Sequence, residues 1–530
     1  MMLTDLPNEI LLLVARHLPD TTDVLHFASC SRGMKDLLLP HAYTCVTITS
    51  NCISSLSRLA TVLSCKPSLG SRVRCLHIGP PARPCKHKCN ARYNPSGINS
   101  ILSKLAYTEE EKHEWNDSLI GRGDSDWEQE DAWWAILWTL MPNIEELDVT
   151  WQYGTDCRER ILERVGALSD RFNVGSTFMK LREVNLKLWC KDVVISGEDA
   201  LLFFRLPALR KFLGYYILEL GANRDDPDEE ELQGFSTVTD IELHSSNSST
   251  GFRQLTRACA SLKSVVYHHA SIRGNTRLLA PPAFYKSLSR HKRTLESISM
   301  NGDPGFGMGM GSPYFGSLFN FTALKTLSIP AMCILDWIEV GNRPLNHVFD
   351  VLPVSLERLA IEDFHHCVNK RSLGKQMEDL LKATPERYPS LHYVNIVGHF
   401  CDKTRCHSKI DPEDPPLDPK IMRIAARLAL ICMTKSLVHF GVYDTIYGWV
   451  DPENFCPCCL SSHIRDSDDP VGLEDVEVDF DDDDEEDESE AEDDRDDDEE
   501  EEEEEEEDDD DDDDEPTLLS GGEISPAEND

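Results

Sequence analysis

The chain has 530 residues, with 52 lysines and arginines against 96 aspartates and glutamates, a formal net charge of −44. About 36 of the carboxylates lie between Glu474 and Glu515 beside a single arginine, which leaves residues 1–473 near −6 and ordinary in composition. No basic patch broader than Arg290-His291-Lys292-Arg293 is present, which argues against nucleic-acid binding, and no run reaches the ~18 uncharged apolar residues of a membrane span.

The first forty-odd residues read as three short helices. Pro7 is expected at the first helical position, where its missing N–H would have gone unpaired, and Glu9 places a negative charge in the first turn. Ile10, Leu13, Val14 and Leu18 recur at helical spacing. Pro19-Asp20-Thr21-Thr22 breaks this helix; Thr22 or Asp23 is expected to cap a second, bearing Val24, Leu25, Phe27 and Ala28. Ser31 caps a third with Met34, Leu37 and Leu38, closed by Pro40. Three such helices are too few to bury this apolar surface among themselves, since units below about 40–50 residues lack an adequate core. Either a partner covers the surplus, or the helices cap the remainder of the chain.

These residues resemble the F-box, the module by which substrate receptors dock onto the Skp adaptor of cullin–RING ubiquitin ligases. The matching pieces are Leu6-Pro7-Asn8-Glu9-Ile10, Thr22-Asp23-Val24, and Cys30-Ser31-Arg32 through Leu37. The ending Leu38-Leu39-Pro40-His41-Ala42-Tyr43 looks like a variant common in filamentous-fungal F-box proteins, and Met34 stands where many F-boxes carry tryptophan. The resemblance implies an F-box over residues 1–43. It also implies adaptor contacts from Leu6, Pro7, Glu9, Ile10, Val14, Leu18, Val24, Phe27 and Leu37.

Residues 44–465 repeat a theme rather than a sequence: an apolar residue followed three and five positions later by two more. Examples are Val73/Leu76/Ile78, Ile144/Leu147/Val149, Leu181/Val184/Leu186 and Val238/Ile241/Leu243, continuing to Leu437/Phe440/Val442, with Leu209/Phe212 a degenerate member. The last two positions alternate as in a strand, and the first turns inward from the preceding loop. Residues 160–172, 251–260, 283–291, 374–384 and 420–433 show helical spacing. The fold class is therefore α/β, and the pattern looks like an irregular leucine-rich-repeat solenoid, with a general parallel α/β domain as the alternative. Two insertions interrupt it. Residues 83–131 hold Cys85-Lys86-His87-Lys88-Cys89 and precede Trp133, Trp134 and Trp138, which at helical spacing are expected to pack inward. Residues 301–313 are glycine-rich but lack a P-loop ending, and read as a loop.

On such strands the intervening residues line an open inner face. Asp148, Asn185, Asp240, Glu242, His244, Arg358, Tyr393 and Tyr443 are the candidates there for contacting a substrate protein, with carboxylates concentrated in the first half.

The 18 cysteines scatter through apolar segments, and the apolar run at the start is interrupted by Glu9 and Arg16 with no small-residue cleavage site after it, so a cytoplasmic or nuclear protein with free thiols is expected. Cys401, Cys406, Cys456 and Cys458 form the densest grouping with nearby histidines and could together ligate a structural zinc ion, yet their spacing fits no zinc finger, ribbon or RING, and free thiols are the expectation. Neither a metal nor a cofactor is expected. No Gly-x-Ser-x-Gly, His-Glu-x-x-His, P-loop or kinase motif is present, so no catalytic residue is assigned. Residues 466–530 carry the acidic run, which cannot bury a core and is expected to be an extended, disordered tail; basic proteins are its possible ligands. The resemblance thus implies a non-catalytic receptor subunit of an SCF-type ubiquitin ligase. The alternative is an adaptor-independent scaffold or acidic-tail chaperone for basic proteins.

Overall fold

Each occurrence of the apolar theme folds as a strand, and the strands stack side by side in one parallel sheet. The computed structural model describes residues 6–18, 21–48, 53–79, 95–121, 126–151, 156–167, 177–188, 194–219, 233–272, 279–302, 313–337, 344–364, 370–398, 419–435, 438–444 and 448–450. Residues Met1–Ile464 cluster as one compact unit, and residues 465–530, with the acidic run, lie outside the described residues.

The chain opens with α1 (Asn8–Arg16), α2 (Thr21–Ser29) and α3 (Arg32–Ala42), then β1 (Cys45–Ile48), α4 (Ile53–Cys65), α5 (Pro67–Gly70) and β2 (Cys75–Ile78). Next come α6 (Pro95–Leu105), α7 (Glu109–Ile120), α8 (Asp126–Leu140), β3 (Glu146–Trp151), α9 (Asp156–Gly166) and β4 (Glu183–Leu188). They are followed by β5 (Ile195–Ser196), α10 (Gly197–Phe204), β6 (Lys211–Tyr215), β7 (Ile217–Glu219), β8 (Asp240–Ser248), α11 (Arg253–Ala258) and β9 (Ser264–His269). After α12 (Pro281–Leu288) and β10 (Ser297–Gly302) come β11 (Thr326–Pro330), α13 (Ala331–Ile334), α14 (Val348–Val351) and β12 (Arg358–Glu362). The described part closes with α15 (Lys370–Arg387), β13 (Tyr393–Gly398), α16 (Pro419–Lys435), β14 (His439–Asp444) and β15 (Gly448–Val450).

The main sheet runs β1-β2-β3-β4-β6-β8-β9-β10-β11-β12-β13-β14-β15; all neighbours are parallel except the last pair. Its register keeps the repeat theme in line: Leu147, Val184, Phe212 and Ile241 face one another across successive strands, and the row continues through Val265, Ile298, Leu327, Leu359 and Val394. These residues are buried, as are the inward-turning Ile144, Leu181, Leu209, Leu295, Leu324 and Leu356. Burial of this kind stabilises by ~25 cal/mol per Å² of apolar surface, and each row is shared by two neighbours, so a repeat is stable only within the stack.

The five expected helical segments appear as α9, α11, α12, α15 and α16. Trp133, Trp134 and Trp138 pack inward as their spacing led one to expect, and Trp115, within residues 83–131, is buried with them. Trp115, Trp133, Trp134 and Trp138 are at most 1% exposed, and the C-terminal half of α8, from Ala132 to Trp138, is buried throughout, as an enclosed apolar helical segment must be. Asp131 joins α8 to α9: its carboxylate pairs with the Arg158 guanidinium and accepts the Cys157 backbone N–H at 2.7 Å. Cys85–Cys89 and most of the 301–313 stretch lie outside the described residues.

Candidate functional site

Two surfaces carry the residues singled out in the sequence, and each is built by a simple local rule. The first is the α1–α3 unit. Pro7 does not open α1 but stands just before it, with φ −55° and ψ 147°, and its carbonyl accepts the Ile10 and Leu11 N–H groups at 3.0 and 3.2 Å. Proline's fixed φ suits that extended capping position as well as the first helical one, so the residue type alone does not separate them. Helix α2 begins at Thr21, which places Asp23 in the first turn rather than at the cap. Ser31 caps α3 as expected, its hydroxyl accepting the Met34 N–H at 3.1 Å. Pro40 lies within the last turn of α3 instead of ending it; the backbone bond that proline cannot donate would have gone to Asp36, an exposed residue whose carbonyl can turn to water.

Leu11, Ala15, Val24, Ala28, Met34, Leu38 and Ala42 make a small core separate from that of the sheet, with Leu6, Leu18, Phe27 and Leu37 half-buried against it. Leu39 and Tyr43 reach the main core from the end of α3. Outward, Ile10, Leu13 and Val14 are 42%, 49% and 38% exposed, and α2 adds Leu25 at 38%. Positions i, i+3 and i+4 share one helical face, so the three α1 residues form a stripe beside the buried Leu11 and Ala15. Pro7 and Glu9 are exposed beside it. Val24 departs from expectation: at 7% exposure it belongs to the small core and is not available on the surface. The helical period identifies α2 as amphipathic but does not say which of Val24 and Leu25 turns inward.

The second surface is the face of the sheet opposite the buried rows. Period-2 alternation puts Asp148, Asn185, Asp240, Glu242, His244, Arg358, Tyr393 and Tyr443 on it, half-buried or exposed. Register makes Asp148 a neighbour of Asn185, and Arg358 a neighbour of Tyr393. The carboxylates expected to await a basic ligand are partly answered from adjacent strands. Lys187 Nζ is 2.8 Å from Asp148 Oδ2, with His77 Nδ1 3.7 Å from the same oxygen. Lys211 lies 3.1 Å from Glu242 and 3.7 Å from Glu183. Burial opposes the Lys211 charge, but the hydrogen bond and charge of Glu242, with Glu183, outweigh it and hold its pKa above the ordinary lysine value. His244 stacks on Tyr215 at 5.1 Å and lies 3.9 Å from Glu242. Toward the C-terminal end, the Arg358 guanidinium stands 4.9 Å over the Tyr393 ring, which also stacks with His439 at 5.2 Å.

Sequence reasoning passed over Cys45 and Cys75, register partners at the start of this face; the Cys75 thiol donates to Glu146 at 3.4 Å. Burial and the Glu146 charge push the Cys75 thiol up to about 12, which makes it a poor nucleophile at neutral pH. The depression between α7 and α9 brings together Glu111, Glu114, Arg160 and Arg164, but these charges pair with one another, Arg160 with Glu114 at 2.9 Å and Arg164 with Glu111. Among the described residues no group of three His, Cys, Asp or Glu side chains could hold a metal ion, and no helix is long and apolar enough to cross a membrane. Cys401, Cys406, Cys456 and Cys458 lie outside the described residues.

Residues 170–406 match a family model described as a leucine-rich repeat domain. The match spans β4 to β13 and does not extend to α1–α3. No curated protein matches the chain.

Proposed function

We propose that this chain is a substrate receptor of an SCF-type ubiquitin ligase, with its leucine-rich repeat domain holding the target and α1–α3 docking a Skp-type adaptor. The observation that carries the reading is the stripe of Ile10, Leu13 and Val14 on α1, left exposed, as is Leu25 on α2, by a unit that has its own small core. An apolar helical face of this kind is the ordinary form of a helix-mediated docking site. The resemblance of Leu6-Pro7-Asn8-Glu9-Ile10 and Cys30-Ser31-Arg32 to the F-box selects the adaptor as its occupant.

In this role the chain does no bond-making itself. It raises the effective concentration of a target's lysines near a ubiquitin-charged enzyme held elsewhere in the complex. Leucine-rich repeat domains are protein-binding scaffolds, and the open sheet face supplies polar and aromatic side chains for that purpose. The test is co-expression of the full chain with a Skp-type adaptor, followed by affinity capture of the chain. Recovery of the adaptor with wild type and its loss with Ile10→Asp supports the reading; no recovery with a folded wild-type chain refutes it.

A further inference from the structure

The open face of the sheet changes chemistry in strand order. On β4, β6 and β8 stand Glu183, Lys211, Asp240 and Glu242, with Lys211 shared between Glu183 and Glu242. Asp240 accepts the Thr239 hydroxyl at 2.7 Å and has no ion pair among the described residues, so this end keeps an excess of negative charge. On β12 and β13, Arg358 lies over Tyr393 and likewise has no carboxylate at ion-pair distance among the described residues. Glu362, further along β12, is engaged by the Ser328 hydroxyl.

Between these ends, the first two open-face rows of β9, β10 and β11 hold only short side chains, and the third row holds His268 and Asn301. Ser264, Ser297 and Thr326 are register neighbours, and the next row along is Val266, Ser299 and Ser328. Strands lie ~4.8 Å apart, so the Asp240 and Arg358 positions, four strands from each other, stand about 19 Å apart with a low floor between them. An α-helix with its side chains is about 10–12 Å across. β9 to β11 are paired on both sides, so their backbone groups are used within the sheet. The floor offers side chains alone. An extended segment lying there would have to satisfy its backbone groups from single side-chain hydroxyls rather than from a strand edge, whereas a helix brings its backbone already satisfied.

We infer that this face receives an α-helix of a target protein, seated on β9–β11 by small apolar residues. The helix carries lysine or arginine on the flank toward Asp240 and aspartate or glutamate on the flank toward Arg358. The inference deepens the receptor reading and rests on it for its biological use, since it names the class of target.

The test uses the full chain and fluorescence anisotropy at ~150 mM salt, where surface charges act over about 8 Å. The probe is a synthetic alanine-rich helix of about 18 residues, ~27 Å long, with lysine on one flank and glutamate on the other. Controls are a peptide of the same composition with scrambled flanks, a lysine-only helix, and a version broken by proline. The two-flanked helix is expected to bind at least tenfold tighter than the scrambled peptide, and at least tenfold more weakly to Ser299→Arg, Asp240→Lys or Arg358→Glu chains with wild-type circular dichroism. The lysine-only helix, drawn to the acidic run at residues 474–515, should bind these chains as it binds wild type. Equal binding of flanked and scrambled peptides, indifference to Ser299→Arg and Arg358→Glu alike, or undiminished binding of the proline-broken peptide would each overturn the inference. Adaptor capture measured on the same preparations separates the two readings: its loss refutes the receptor while leaving the helix result to stand or fall by itself.

Discussion

Asp131 and Arg158 form an ion pair inside the protein, both side chains at most 3% exposed, and the pair ties α8 to the start of α9. The Arg158 guanidinium also lies 4.9 Å over the Trp151 ring. Removing one partner strands the other charge away from water. Asp131→Ala is expected to cost about 3–5 kcal/mol, whereas Asp131→Leu with Arg158→Met should recover a large part of it. Urea unfolding followed by tryptophan fluorescence measures both. A double variant no more stable than the single one would show that the loss lies in the α9 cap, where Asp131 accepts the Cys157 N–H, and not in the stranded charge.

Gly251 links β8 to α11 in the left-handed region, at φ +71°, and a Cβ there would fall 2.6 Å from Phe284 N and 2.7 Å from Ala283 C. Backbone conformation costs a non-glycine residue about 1–2 kcal/mol here. Overpacking against backbone that cannot step aside adds about 1–3 kcal/mol. Gly251→Ala should therefore lower the urea midpoint clearly, with an unchanged slope. An unchanged midpoint would mean that the α11–α12 contact gives way freely.

His291 is buried, its Nδ1 accepting the Leu262 N–H at 3.4 Å and its Nε2 donating to the Thr256 carbonyl at 2.9 Å. Burial lowers its pKa, assisted by the Arg290 charge and opposed by the bond to Thr256. The folded value lies below the unfolded value of ~6.5, so the stabilisation from neutral His291 is complete above about that pH and is lost as pH falls through the folded value. The melting temperature should drop on acidification from pH 7.5 to 5, and drop less in His291→Gln. Parallel curves for the two proteins would remove His291 from the acid response.

Much of the sheet was legible because each strand repeats one inward and two alternating apolar positions, and burial enforces the register wherever one face is enclosed. β1 escaped notice because Val46 is only half-buried and the strand lacks the full triplet; β5 and β7 are too short to show a period. Residues 83–131 read as an insertion because they interrupt the strand spacing, and within them α6 and α7 add to the core through Leu102, Trp115 and Leu119. The open face was legible as a list of alternate residues. Its charge balance was not, because Lys211 answers Glu183 and Glu242 across strands whose neighbourhood the local sequence does not state. In α1–α3 the exposed stripe followed from periodicity, while the burial of Val24 and the placing of Pro7 and Pro40 depended on packing.

Ile10 and Leu13 contribute little to folding if their role is docking, since the small core is built from Leu11, Ala15 and their partners on α2 and α3. Ile10→Asp and Leu13→Asp should change stability by no more than about 0.5 kcal/mol, the ordinary range for surface positions. Leu38→Ala, by contrast, removes a side chain with no exposure and should cost about 2–5 kcal/mol. Thermal melts of the three variants distinguish the surfaces.

Isothermal titration of a purified Skp-type adaptor into the purified full-length chain tests the central claim most directly. Saturation at one adaptor per chain, with the negative heat-capacity change of apolar burial, is the predicted outcome, and both should vanish in the folded Ile10→Asp variant. No binding to the folded wild-type chain, or equal affinity for wild type and Ile10→Asp, would contradict it.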